Sequence, residues 1–379
     1  MRPAIVTLCS LLTLPVFAEP SGVLVGLQGS GNTYRTIWIV TEGGPPVVAA
    51  VVKGLVVPRE NGLWRMDVEL KTCGEVGQYH VDELSIGPLG PGAGTPTIRD
   101  CESIARASCG SVYPAGGGLV MERWISYAGP THFAEQFWLT ESCSANPGWE
   151  TGFSVHDLDY PEQDVAMETA FQADRMNALQ GAAREALVCP TDDLDCIDSR
   201  DQFEVSRHSG WGIARALSQW SVLVALSSPD PNLAPSPVLT DMEAPVAILG
   251  LSEGQRPAAA IEGLPEGDQS VSPERDMAIV RTDQVAAYRL VAGAVEGPPV
   301  LIPTGSDERV VMIEWAPGSQ IAPWGAVLQG LSNGAATSQS TGIERLAWLA
   351  GCWEVVSENR IVEFPYRRAA CSGTMEAAR

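Results

Sequence analysis

Short runs rich in Val, Ile and Trp, each closed by Gly, Pro, Asn or Asp, follow one another between residues 22 and 331. A chain of this kind has few choices, because β-branched and aromatic residues suit a pleated, half-buried surface and the closing residues supply turns. Strands are expected at residues 36–41, 47–57, 64–71, 79–86, 119–127 and 132–140, and again at 220–226, 246–249, 277–282, 286–291, 310–315 and 324–328. The clearest pattern is at 65–71, where Met66, Val68 and Leu70 alternate with Asp67, Glu69 and Lys71 behind the hairpin-type turn Asn61-Gly62. Residues 87–97, with repeated Gly and Pro, and the Pro-rich 228–237 read as loops.

One segment departs from this pattern. Residues 164–187 place Met167, Ala170, Phe171, Ala178, Leu179, Ala182 and Ala186 at helical spacing, with Asp164 as N-cap and Pro190 just beyond the end. The fold class expected is mainly β with one long helix, an α+β chain of antiparallel sandwich or meander sheets. Residues 272–290 resemble a single propeller blade, a polar turn before two hairpin strands. The pattern recurs at no fixed period, so a partial propeller is the minor alternative.

The chain of 379 residues, 45% hydrophobic and 18% charged, has enough apolar material for one large core or two smaller ones, which excludes global disorder and a multi-span membrane protein. Its 46 acidic and 24 basic residues leave a formal net charge of -22, with no basic cluster to neutralise phosphates, so nucleic acid is excluded as the expected partner. Arg2, the apolar residues 4–17 and the small residue Ala18 before Glu19 match a secretory signal peptide cleaved after Ala18. Losing Arg2 takes the mature net charge from -22 to -23. No later segment is apolar and long enough to span a bilayer, so an exported, extracytoplasmic protein, periplasmic or secreted, is expected.

Of 9 cysteines, Cys9 leaves with the leader, and Cys73, Cys101, Cys109, Cys143, Cys189, Cys196, Cys352 and Cys371 remain. In an oxidising compartment an even set reads as a disulfide framework. A zinc site needs close Cys or His pairs, and the chain has no C-x-x-C. Spacing favours two local loops, Cys101 with Cys109 and Cys189 with Cys196, which leaves Cys73 to join Cys143.

No complete catalytic set emerges. Gly250-Leu251-Ser252-Glu253-Gly254 and Gly330-Leu331-Ser332-Asn333-Gly334 match a nucleophile elbow, but the last histidine, His208, precedes both serines, whereas that fold needs a later one. His80, His132, His156 and His208 are isolated in sequence. Gly29-Ser30-Gly31 opens a dinucleotide fingerprint that Tyr34 ends. Catalytic and cofactor-binding residues are therefore expected to be none. Asp157, Asp159 and Asp164 form one acidic cluster. Asp192, Asp193, Asp195 and Asp198, with Asp201, form a second whose density suits calcium, although its spacing is not that of an EF-hand. The 11 Trp suggest either core packing or sugar-binding faces.

At the tail, Trp348, Gly351 and Trp353 within Leu346-Ala347-Trp348-Leu349-Ala350-Gly351-Cys352-Trp353-Glu354 resemble the opening of a lipocalin-like family of small exported bacterial proteins. The resemblance implies a barrel that would need roughly a hundred further residues. Residues 335–379 are accordingly expected to be a linker and a lipocalin-like start cut short by truncation or a frame shift near Arg360. The expected organisation is a signal peptide at 1–18, a disulfide-bearing β-rich domain at 19–201 carrying the helix, a second β-rich domain or half at 202–334, and the tail. The expected function is a non-enzymatic binding or structural module with a carbohydrate or protein partner in the cell envelope. Two alternatives stand beside it, an envelope-polymer hydrolase working through carboxylates and a calcium-stabilised module.

Overall fold

The computed structural model describes residues 20–73, 79–89, 97–99, 120–140, 149–189, 194–206, 210–216, 218–228, 236–250, 261–305 and 307–337. The chain divides into two compact units, residues 1–332 and 333–379, and all the strands below belong to the first.

The fold is mainly β, with small antiparallel sheets set in a five-bladed, propeller-like ring. Blade 1 begins with β1 (Ser21–Gly29), β2 (Thr33–Thr41) and β3 (Val47–Lys53). Blade 2 follows with β4 (Leu55–Arg59), β5 (Gly62–Cys73), β6 (Tyr79–Pro88) and β7 (Thr97–Arg99). Blade 3 holds β8 (Val120–Ala128), β9 (His132–Thr140), β10 (Trp149–Asp157) and β11 (Tyr160–Asp164), and a short parallel pairing of β6 with β8 makes blades 2 and 3 one continuous sheet. Blade 4 comprises β12 (Glu204–Val205), β13 (Trp211–Ala216), β14 (Gln219–Ser227) and β15 (Ser236–Glu243). Blade 5 comprises β16 (Asp268–Val271), β17 (Met277–Arg281), β18 (Val285–Val291) and β19 (Ala294–Ile302). The final strand, β20 (Arg309–Ala316), returns to β1 with Trp315 opposite Val23 and Ile313 opposite Val25, so the end of the ring completes its first sheet.

Each blade interface is a separate packing problem. Val23, Val25 and Ile37 on one face of blade 1 meet Met277, Ile279 and Val285 of blade 5. Leu24, Trp38 and Val40 on the other face meet Leu55, Val57 and Met66 of blade 2. With both faces covered, β1 and β2 have no polar side, and each fully buried aliphatic side chain contributes about 1.5–3 kcal/mol. Blades 3 and 4 share Tyr127, Val155, Trp211 and Val222. Blades 4 and 5 are joined by a polar contact, in which Arg215 Nε donates to both carboxylate oxygens of Asp268, at 2.8 and 2.9 Å, while between blades 1 and 5 Trp315 Nε1 donates to Ser270 Oγ at 3.0 Å.

Four expectations need correction. The propeller-like ring is the main architecture rather than a minor alternative to a sandwich. Its blades differ too much to repeat in sequence, with strands from the two residues of β12 to the twelve of β5. The single long helix is in fact α1 (Met167–Ala170) and α2 (Ala173–Ala186), broken where Phe171 takes an extended backbone and buries its ring edge-on against Trp211, 5.1 Å between centroids. A short helix, α3 (Leu194–Ser199), follows. The expected strand at 246–249 is a single turn, α4 (Val246–Leu249), bounded by Pro245 and by Gly250 in the left-handed conformation at φ 62°. The expected strand at 324–328 lies in α5 (Ile321–Thr337), which is longer than α2. Ile321, Trp324 and Leu328 recur at helical spacing on its buried side, and Pro323 sits in the first turn, where it breaks no helical bond.

Candidate functional site

A groove of about 920 Å³ opens where α5 runs past the ends of blades 1 and 5. Trp38, Val40, Leu290 and Ile321 give it apolar lining, and Ala322, Gly325 and Ala326 make the helical wall. Its polar lining includes Glu42, Glu274, Arg275, Asp276 and Arg289.

Trp38 is held by two glycines. A β-carbon on Gly22 would fall 2.3 Å from the Trp38 Cη2 atom, so only glycine lets the indole lie against β1. A β-carbon on Gly325 would lie 3.5 Å from Trp38 Nε1, the nearest atom there, which leaves the N–H edge facing the groove wall. Trp38 is 1% exposed as a whole residue, its N–H makes no hydrogen bond with another described residue, and its nitrogen is not among the side-chain atoms sealed from solvent. Trp64, Trp211 and Trp315, by contrast, donate to Asn61 Oδ1, the Val165 carbonyl and Ser270 Oγ. A donor that keeps access to the groove can be met there by water or by the acceptor of a ligand.

The charges around the groove are only partly used. Asp276 accepts hydrogen bonds from Ser21 Oγ at 2.5 Å and Ser272 Oγ at 2.7 Å. Arg289 pairs with Glu296 at 2.7 Å and donates to the Gly43 carbonyl at 2.8 Å. Arg275 is exposed and sits at φ 55°, a left-handed conformation that costs a residue with a side chain about 1–2 kcal/mol. Its N–H bond to the Ser272 carbonyl, at 2.9 Å, fixes the turn that presents it.

A second polar cluster lies inside blade 3. His156 Nε2 is 2.8 Å from Ser154 Oγ and 3.3 Å from Glu135 Oε2, and Arg123 Nη1 is 3.3 Å from the same carboxylate oxygen. The imidazole stacks on Phe133 at 4.7 Å, and its Nδ1 lies 3.3 Å from Asp164 Oδ1 without hydrogen-bond geometry, sealed from water. These are the parts of a nucleophile, base and acid set. Ser154 and His156 are only 6% and 4% exposed, so no substrate carbonyl approaches Oγ, and the cluster acts as an internal tie.

Two other titratable groups are perturbed. Glu314 on β20 is 3% exposed and makes no hydrogen bond among the described residues, and burial pushes its carboxyl up to about 8. Burial also raises the Tyr127 phenol, with the nearby Glu314 charge adding to the effect, while its hydroxyl donates to the Leu249 carbonyl at 2.9 Å. Burial lowers His132 against the opposing pull of Asp157.

Of the residues singled out from sequence, Cys189 and Cys196 are joined by a disulfide with their Cα atoms 5.7 Å apart. Cys101, Cys109 and Cys143, the side chain of Cys73, and the carboxylates of Asp192, Asp193, Asp195 and Asp198 lie outside the described residues, as do Ser252 and the lipocalin-like tail. Ser332 lies in α5. Asp157 and Asp159 form a turn in which Asp157 Oδ1 accepts the Asp159 N–H at 2.7 Å, and Asp159 pairs with Arg59. Asp164 stands apart from them, beside His156. No group of three or more Asp, Glu, His or Cys suited to a metal occurs among the described residues, and no helix there is long and apolar enough to cross a membrane. The groove was missed because its residues lie far apart in the chain. No family model and no curated protein sequence matches this chain.

Proposed function

We propose that this is an extracytoplasmic binding module that uses a propeller-like ring as its scaffold and holds its ligand in the groove beside α5. The observation that carries the reading is the Trp38 N–H, left uncovered by Gly325, without an acceptor among the described residues, and facing a groove whose volume suits a small ligand. The leader-like residues 1–18 and the Cys189–Cys196 disulfide support an oxidising compartment outside the cytoplasm. Sugar stacking has little support in the groove, because the Trp38 face is covered.

The test is ligand-induced stabilisation. A ligand that binds only the native state raises the melting temperature by mass action. Ala322→Phe, which places a ring in the groove from an exposed helical position, should abolish that rise while leaving the unliganded melting temperature near wild type. A rise that survives Ala322→Phe would overturn the reading. Reproducible turnover lost in a single carboxylate variant would overturn its non-enzymatic part.

A further inference from the structure

Three properties of the groove bear on the chemistry of its ligand. The Trp38 N–H offers a donor without a protein acceptor among the described residues, beside the small-residue wall of the helix. The wall made by Ala322, Gly325 and Ala326 carries nothing longer than a β-carbon, so a ligand backbone can lie against the helix. Around the groove, Arg275 offers a positive charge and Glu42 and Glu274 offer negative ones, all exposed and without ion-pair partners among the described residues. A sugar finds no open aromatic face, and an anionic lipid meets Glu42 and Glu274 as well as the arginine.

The neighbouring strand adds a fourth property. β3 ends its sheet, with only β2 as a partner among the described residues, and its Ala49 lines the groove. Val47, Val48 and Val51 of the same strand are 53%, 39% and 42% exposed. A free edge with exposed valines is a template for an extended chain, since the backbone pairing groups point outward and the valines pad alternate side chains.

We infer that the groove takes a short extended peptide of mixed charge. A backbone carbonyl of the peptide accepts from Trp38 Nε1, its carboxylate pairs with Arg275, and its amine is held by Glu42 or Glu274. Chain leaving the groove at Ala49 runs along β3. The inference rests on the groove being the binding site.

The experiment uses the folded chain and, as probe, tetrapeptides with Lys first, Glu last and varied small or apolar residues between them. Binding is read by calorimetry and by the indole N–H resonance of Trp38, assigned with Trp38→Phe. Saturable binding is expected, with a shift of that resonance. Gly325→Ala, which covers the N–H with a methyl group, should weaken binding about 5- to 10-fold, the worth of one hydrogen bond. Arg275→Ala should weaken it by a similar factor, and more at low salt than at high. If these peptides do not bind while maltotetraose or decanoate does, with loss in Gly325→Ala, the peptide inference falls and the groove stands. If none of the three probes binds, the peptide inference is overturned. If peptides bind equally well to wild type, Gly325→Ala, Arg275→Ala and Ala322→Phe, the groove itself is overturned.

Discussion

Gly325 leaves the Trp38 indole nitrogen uncovered: a β-carbon at residue 325 would lie 3.5 Å from Nε1, and no other atom beyond its own helix and chain neighbours comes within 4 Å. That distance is ordinary contact, so alanine fits. Glycine inside a helix costs about 1 kcal/mol relative to alanine. Gly325→Ala is therefore expected to raise the melting temperature by a degree or more while weakening ligand binding. A lower melting temperature, read by calorimetry, would show that the site is tighter than its geometry indicates.

Gly22 presents the opposite case. Its missing β-carbon would fall 2.3 Å from Trp38 Cη2 and 2.8 Å from Cζ2, and the indole is pinned on its other side by Trp324, 6.0 Å away between ring centroids. Gly22→Ala must displace the ring or bend β1. Overpacking of this kind costs about 1–3 kcal/mol, and a urea titration is expected to show the midpoint falling without a change in slope.

The strands were legible because their signal is local: 36–41, 277–282 and 310–315 read as β from Val, Ile and Trp content alone, and they correspond to β2, β17 and β20 within a few residues. The ring was not. Its closure pairs Val23 with Trp315 across almost the whole chain, and nothing near either residue announces the partner. Burial of both faces of β1 and β2 also removed the alternation that would have shown which side packs where. The misread strand at 324–328 shares that cause, since Trp324, Gly325, Ala326, Val327 and Leu328 form an apolar run too short to distinguish the two periods. Only its extension to Ile321 and Leu331 reveals a helix. The Cys189–Cys196 bond was legible because a short loop keeps the thiols close. The groove draws on Trp38, Arg275 and Gly325 from three distant segments, so no sequence window contains it.

Arg215 and Asp268 tie blade 4 to blade 5 through a two-pronged contact, with side chains 8% and 14% exposed. Removing one partner from a buried pair strands the other, which costs about 3–5 kcal/mol. Asp268→Ala is expected to fall in that range. The double variant Arg215→Met with Asp268→Ala should be less destabilised than the two single changes added together, because no charge remains stranded. Strict additivity in denaturant midpoints would mean that the pair contributes nothing as a pair.

Glu314 gives the fold a pH dependence whose sign follows from its surroundings. Its carboxyl is raised from 4.5 to about 8 by burial alone, so the native state keeps a proton that the unfolded chain releases above about 4.5. The unfolded state then binds fewer protons, and stability falls as pH rises from about 4.5 to about 8. The contribution is intact below that window and lost by its upper end. With about 1.4 kcal/mol for each tenfold change in a proton-binding constant, the loss is on the order of a few kcal/mol. Glu314→Gln resembles the protonated side chain in shape and cannot ionise. Its melting temperature should match wild type near pH 4.5 and exceed it by a margin that grows toward pH 8 and then levels. A difference between the two proteins that stays constant across this range would show that Glu314 does not hold its proton in the folded state.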